Sequence, residues 1–165
     1  PDLFARRMKM KEKAGEQSAI LKLAQLAVLV AFLLPGFDRR FEWSQAPVGV
    51  VIAADVLVLL GYLVVFLTMR ENRYASRVVE VTAEQQVIRS GPYAVVRHPM
   101  YLGMLLMVLF SALGLGSYWA LIPAALLLPA LVLRIRSEEK ILAGGLKGYT
   151  EYKQQVRWRL VPGVW

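Results

Sequence analysis

Residues 91–103 read Gly-Pro-Tyr-Ala-Val-Val-Arg-His-Pro-Met-Tyr-Leu-Gly, and they join a basic polar segment to a long apolar one. The stretch contains the only histidine of the chain, His98, which follows Arg97 and precedes Pro99. A proline at the first helical position forfeits no hydrogen bond, so Pro99 predicts the start of a helix. Arg97 and His98 would then lie at the amino end of that helix, where free backbone N–H groups favour an anion.

The composition indicates a membrane protein. Of the 165 residues, 57% are hydrophobic and the mean hydropathy is +0.47, whereas soluble domains are usually about 45–50% apolar. The net charge of +8 lies between apolar blocks, which is typical of basic cytosolic loops and not of a nucleic-acid-binding stripe. Without cysteine and with one histidine, the chain has no thiol chemistry and no histidine-rich metal site, so we expect neither metal nor nucleic acid.

The apolar residues form four long segments, which predict an all-α fold: a polytopic membrane protein with four transmembrane helices in one domain over residues 1–165. Pro35-Gly36 is expected to end the first helix. The four residues 114–117 predict a tight turn, so the last two helices form an antiparallel hairpin. The predicted transmembrane helices cover residues 18–34, 46–69, 99–113 and 118–133.

The distribution of basic residues predicts which ends of these helices face the cytosol. Lysine and arginine number five in residues 1–17, five in 69–98 and seven in 134–165, against two in 36–46. Cytosolic loops carry such an excess, so both ends of the chain are expected in the cytosol. The loop 70–98 and the carboxyl-terminal helices of residues 134–165 then form cytosolic catalytic elements. The active site would face the cytosol, at the inner membrane of a bacterium or the endoplasmic reticulum of a eukaryote.

The carboxyl-terminal half carries further helix signals. Pro123 and Pro129 interrupt the fourth apolar segment, and each removes a helical hydrogen bond and can bend the helix. From Arg134 the helix becomes polar, and Gly144-Gly145 is expected to end it. A last amphipathic stretch, residues 147–158, is expected to have Tyr149, Tyr152, Val156 and Trp158 as its apolar and aromatic side, with Trp158 at the inner membrane interface.

Arg134 and Glu138 are four residues apart and therefore share a helix face. One interpretation is an exposed ion pair, which stabilises by at most about 0.5 kcal/mol. In the other, the hairpin brings this helix end beside Arg97 and His98, so that cations, a carboxylate and Tyr101 converge at one membrane face. Such a site would match a zwitterionic ligand, with its ammonium on Glu138 and its carboxylate on Arg97 or the helix amino end.

Five motifs carry a family resemblance: Gly91-Pro92-Tyr93, Arg97-His98-Pro99-Met100-Tyr101-Leu102-Gly103, Glu138-Glu139, Tyr149-Thr-Glu-Tyr152 and Arg159-Leu-Val-Pro162. Over about residues 80–165, the chain resembles the isoprenylcysteine carboxyl methyltransferase family. The related phospholipid N-methyltransferases share much of the pattern. The resemblance implies an integral-membrane enzyme that uses S-adenosylmethionine.

The resemblance also implies roles for single residues. The substrate-contacting arginine of the family falls on Arg134, and residues 85–88 are aligned by their distance from Ser90-Gly91. The chain departs from the family where Phe-Gly-x-x-Tyr is replaced by Gly-Leu-Lys-Gly-Tyr149. The expected cofactor-binding residues are Gln85, Gln86, Val87, Ile88, Tyr93, Arg97, His98, Pro99, Met100, Tyr101 and Glu138.

The methyl acceptor decides which residues are catalytic. A carboxylate is ionised at neutral pH and needs no base, and Arg134 would hold it as the catalytic and substrate-binding residue. An amine must lose a proton, and Glu139 or His98 would have to act as the base. Because no dedicated base is evident, the sequence favours the carboxylate of an isoprenylcysteine-like lipid that enters from the bilayer.

Three alternatives remain open. The first is N-methylation of a phospholipid head group of the phosphatidylethanolamine type. The second is an NADPH-dependent reductase, because sterol reductases are similar around Arg-His-Pro-x-Tyr-x-Gly. The acid pair Glu138-Glu139 argues against it. The third is a membrane protein without catalytic activity whose basic cytosolic residues bind membrane lipids.

Overall fold

The computed structural model describes residues 16–72 and 85–165, and every regular element within these ranges is helical. The helices are α1 (Glu16–Phe41), α2 (Val48–Glu71), a 3-10 helix (Gly91–Ala94), α3 (Pro99–Gly114), α4 (Leu121–Ala125), α5 (Leu127–Gly145) and α6 (Tyr149–Gln155). The all-α prediction is therefore confirmed for this part of the chain. The basic residues before Glu16 and the centre of the predicted loop, residues 73–84, lie outside the described residues.

The α2 helix is the one helix whose described residues are long and apolar enough to cross a membrane. This helix has 24 residues and begins directly after Pro47, close to the predicted start. Only 11% of its most apolar 18-residue stretch is buried within the protein. Large apolar side chains such as Leu59 and Phe66 point outward. The α3 helix is apolar but has 16 residues. One of the four predicted spans thus has the required length and composition in the described residues.

The prediction that Pro35-Gly36 ends the first helix is wrong, because α1 continues to Phe41. The proline removes one hydrogen bond, to the carbonyl four residues earlier. Asp38 fixes the turn that follows: its carboxylate accepts hydrogen bonds from the backbone N–H of Ser44 (2.7 Å), from the Ser44 hydroxyl (2.6 Å) and from the Ser117 hydroxyl. These contacts hold the continued helix against the turn before α4.

The predicted helix over residues 118–133 is also corrected, because two helices, α4 and α5, replace it. They separate at Leu126, whose N–H bonds the carbonyl of Pro123. Pro129 has no N–H for the carbonyl of Ala125, so a continuous helix would lose its hydrogen bond at this point. Beyond the break, α5 runs without interruption from its apolar start to Gly145, where the sequence predicted its end.

The α2 and α3 helices pack very closely where two glycines face each other. A Cβ added at Gly61 would lie 2.8 Å from the carbonyl oxygen of Gly103, and one at Gly103 would lie 2.7 Å from that of Gly61. Small residues of this kind let membrane helices approach backbone to backbone. A buried core then joins α1, α3, α5 and the carboxyl-terminal segment through Ala24, Leu105, Leu127, Leu131, Ile135 and Leu160.

Substitution Gly103→Ala tests this packing. The added Cβ meets a backbone oxygen that cannot move unless the helices separate, so we expect a loss of about 1–3 kcal/mol in the free energy of unfolding. Thermal unfolding in detergent would measure it. Gly49→Ala in α2 is the matched control, since its added Cβ would have no described atom within 4 Å apart from the adjoining backbone of its own helix. Equal melting temperatures for wild type and Gly103→Ala would contradict the close approach.

Candidate active site

Pro99 begins α3, as predicted, and the two residues before it are held by the carboxyl-terminal segment. The backbone N–H of Arg97 donates to the carbonyl of Trp158, and that of His98 to the carbonyl of Arg159, both at 2.9 Å. Both N–H groups are therefore occupied by the protein itself. This pairing fixes the start of α3 against residues more than 50 positions later in the chain.

Glu139 is the centre of a buried ion cluster. Its Oε1 accepts a hydrogen bond from Nε of Arg97 (2.7 Å), and its Oε2 accepts one from Nε of Arg159 (3.0 Å). Nε2 of His98 lies 3.4 Å from Oε1 without the geometry of a hydrogen bond. The carboxylate is only 5% exposed. A charge so deeply buried is tolerated because it is paired on both oxygens.

The surroundings of Glu139 favour its ionised form over its protonated form. Burial by itself raises the pKa of Glu139, but contacts from His98, Arg97 and Arg159 lower it to about 2. The carboxylate therefore stays ionised throughout the physiological range. Such a weak base is poorly suited to removing a proton from a substrate.

Arg97 connects three segments of the chain. Besides Glu139, its Nη1 donates to the carbonyls of Val156 (2.7 Å) and Arg157 (2.9 Å). The side chain is buried, so its Nε and Nη1 hold the carboxyl-terminal segment against α5. Its predicted contact with a cofactor stays a prediction.

Glu138 and Arg134 lie beside the start of α3, as the sequence predicted. The Tyr101 hydroxyl donates to Oε2 of Glu138 (2.7 Å) and accepts from Nε of Arg134 (3.3 Å). All three side chains are half-buried, between the ion cluster and the surface. The convergence of a cation, a carboxylate and a tyrosine is thus confirmed.

Tyrosine side chains lie near the Glu138 carboxylate, and the hydroxyl of Tyr101 contacts it directly. The Tyr101 ring stacks on His98 with centroids 5.8 Å apart, and the hydroxyl of Tyr93 accepts a hydrogen bond from Asn72 (2.7 Å). Burial raises the pKa of Tyr93; the hydrogen bond from Asn72 partly offsets this rise and the charge of Glu138 adds to it. Rings around a carboxylate form a surrounding that suits an organic cation.

Residues 85–88 lie beside α6. Arg89 fixes them there, because its Nη1 and Nη2 lie 3.3 Å from the Gln155 side-chain oxygen and the Gly148 carbonyl. Val87 packs against a buried cluster that includes Tyr149. Of the other predicted residues, Pro99 is buried, Gln85, Ile88 and Met100 are half-buried, and Gln86 is exposed.

The amphipathic stretch at the carboxyl end is largely as predicted. Tyr149, Tyr152 and Val156 are buried at 4%, 2% and 8% exposure. Trp158 is 38% exposed. The helix ends at Gln155, and the extended backbone that follows no longer keeps the helical spacing.

Two residues of the site received no role from the sequence. Arg159 contacts Glu139, and the Tyr149 hydroxyl lies near the acid pair. Both residues belong to motifs quoted above, and their place in the family pattern could have marked them as residues of the site. Their distance along the chain from Glu139 gave no indication of contact.

The described residues thus combine one apolar helix of membrane-crossing length with a cluster of polar and aromatic side chains where α3 and α5 meet. The chain belongs to the phospholipid methyltransferase family, whose sequence model matches residues 50–147. The match covers more than half of the chain and includes Glu138 and Glu139. No curated protein sequence matches the chain. The family membership confirms the resemblance and implies a membrane-associated methyltransferase.

The pH dependence of unfolding tests the charge of Glu139. Its folded pKa lies below the ordinary value of 4.5, so its ion pairs stabilise the fold above about pH 5, and this stabilisation is lost as the pH falls towards 2. We expect Glu139→Gln to lower the free energy of unfolding by about 3 kcal/mol at neutral pH and by much less near pH 2. Denaturant titrations in detergent at several pH values would measure the difference.

The exposed Glu151 of α6 provides the control, and Glu151→Gln should change stability little at any pH. A Glu139→Gln effect of the same size from pH 7 down to pH 2 would mean that the carboxylate is not charged in the folded protein.

Proposed function

We propose that this protein is an integral-membrane methyltransferase that moves a methyl group from S-adenosylmethionine to a lipophilic acceptor. The observation that supports it most is the half-buried Glu138 carboxylate among Tyr93, Tyr101 and Tyr149, where α3 and α5 meet. The membership of the phospholipid methyltransferase family supplies the reaction class.

The residues of the site fit this cofactor. S-Adenosylmethionine carries a sulfonium, an ammonium, a carboxylate and an aromatic base, and when bound it supplies an electrophilic methyl group. Glu138 suits the ammonium, and the tyrosine rings suit a cation or a flat base. The buried His98 Nε2 and Tyr149 hydroxyl lack hydrogen-bond partners among the described residues, and a polar ligand would satisfy both.

Arg134 is our candidate for holding the acceptor. Its Nε contacts Tyr101 one helical turn from Glu138, so a group bound by Arg134 would lie beside one bound by Glu138. Orientation of two reactants at close range supplies much of the acceleration in such a transfer. Glu139 acts here as a positioning residue, because it ties Arg97 and Arg159 and through them the carboxyl-terminal segment that covers the site from water.

An acceptor carboxylate, as in an isoprenylcysteine-like lipid, is the first candidate. It needs no base, and Glu139 with a pKa of about 2 is a weak one. The second candidate is the amine of a phospholipid such as phosphatidylethanolamine, which the name of the matching family favours.

The membrane arrangement in this proposal has four spans, formed by α1, α2, α3 and the apolar residues of α4 and α5 up to Leu133. Exposed apolar side chains on α1 and α2 and exposed Trp43 and Trp119 at the end opposite the site support it. The amino end of α1 and the carboxyl-terminal segment lie on the cytosolic side, and the acceptor enters sideways from the bilayer while the cofactor enters from the cytosol.

Two alanine variants separate cofactor binding from turnover. We expect Glu138→Ala to abolish binding of S-adenosylhomocysteine, because the ammonium loses its carboxylate. Arg134→Ala should keep nearly the wild-type affinity but lose methyl transfer. Calorimetry in detergent and a radiolabel assay would measure the two effects, with the exposed Arg136→Ala as the control. Unchanged affinity in Glu138→Ala, or binding of NADPH in place of S-adenosylhomocysteine, would contradict the assignment.

The chemistry of the product identifies the acceptor. The purified protein is incubated with methyl-labelled S-adenosylmethionine and either an S-farnesylated cysteine derivative or vesicles that contain phosphatidylethanolamine. A carboxylate acceptor gives a methyl ester, which alkali releases as volatile methanol, whereas an N-methyl group resists alkali. We expect the label to enter the cysteine derivative in alkali-labile form. Alkali-stable label in the phospholipid would establish the second candidate.

A further inference from the structure

The hydroxyl of Tyr149 is buried without a partner among the described residues. The residue is 4% exposed, and its hydroxyl makes no hydrogen bond to any of them. A buried polar atom left unpaired costs folding free energy, and native proteins seldom leave one in that state. A ligand that binds beside the hydroxyl would remove this cost.

Packing prevents the Tyr149 ring from turning to solvent. The ring belongs to a buried cluster with Leu146, Tyr152 and Val156, with Val87 packed behind it. Gly148, directly before it, has a φ of +83°, which fixes the direction in which α6 begins. The position of the hydroxyl is thus set by the fold before any ligand binds.

The hydroxyl lies near the acid pair. Burial raises the pKa of Tyr149, and the charges of Glu139 and Glu138 raise it further, while Arg97 opposes them. The group therefore stays protonated at neutral pH and can donate a hydrogen bond. The Tyr149 ring centroid lies 5.8 Å from that of Tyr152, whose hydroxyl donates to the carbonyl of Tyr93. Tyr149 thus lies beside a residue that we assign to the cofactor.

The neighbouring tyrosines differ from Tyr149 in this respect. Tyr101 donates to Glu138, Tyr152 donates to the carbonyl of Tyr93 (2.8 Å), and Tyr93 accepts from an asparagine. Within the described ranges, the second buried polar side-chain atom without a hydrogen bond is Nε2 of His98, next to Glu139. Two unpaired polar atoms therefore lie near the same acid pair, as expected of a site that a ligand completes.

We propose that Tyr149 is a cofactor-binding residue and that its hydroxyl forms a hydrogen bond with a polar group of the bound nucleoside cofactor. The proposal rests on the proposed function, because it assumes that cofactor. The family match ends at residue 147, so it carries no information about Tyr149.

Tyr149→Phe tests this role, because it removes the hydroxyl and keeps the ring. We expect the affinity for S-adenosylhomocysteine, measured by calorimetry in detergent, to fall about fivefold to tenfold, as for one lost hydrogen bond. The melting temperature of the ligand-free protein should be equal to or above that of wild type, because an unpaired buried hydroxyl is gone. The rise in melting temperature on adding ligand should be smaller.

Tyr118→Phe is the matched control, since Tyr118 is exposed beside Ser117 at the other end of the helices, and it should change neither quantity. Equal ligand affinity in wild type and Tyr149→Phe would overturn the proposal alone. A lower melting temperature of the ligand-free Tyr149→Phe protein would also overturn it, because the hydroxyl would then have a structural partner. Absence of binding in wild type would overturn the proposed function itself and this inference with it.

Discussion

The pairing of the Glu139 carboxylate with two arginines is the interaction on which the site depends. A buried carboxylate is costly, and both of its oxygens are satisfied by groups that come from other parts of the chain: Arg97 before α3 and Arg159 near the carboxyl end. Removing Glu139 would leave the buried charge of Arg97 without its counter-ion. The cluster therefore fixes α5, the start of α3 and the carboxyl-terminal segment in one arrangement.

The helical geometry of α5 gives its two acids different tasks. Consecutive helical residues point about 100° apart. Glu139 therefore faces the buried Arg97, while the half-buried Glu138 faces Tyr101. One carboxylate holds three segments of the chain together, and its neighbour is the one that we propose binds the cofactor.

Local signals predicted much of the framework. Pro99 marked the start of α3, Pro47 preceded α2, and Gly144-Gly145 marked the end of α5. These predictions succeeded because a proline or glycine acts on the backbone within one turn. The prediction at Pro35 failed because a distant contact opposed the local signal: the carboxylate three residues later binds the hydroxyl of Ser117, in the turn before α4.

The sequence by itself determined the helical class, the apolar character of α2 and the family. It also identified Arg134 and Glu138 as a pair on one helix face, since spacing along a helix fixes direction. Only the tertiary structure decided that Arg97 and Arg159 both pair with Glu139, and that the Tyr149 hydroxyl is buried without a partner among the described residues. Those contacts join residues far apart in the chain, and they depend on how closely helices approach, which two facing glycines set for α2 and α3.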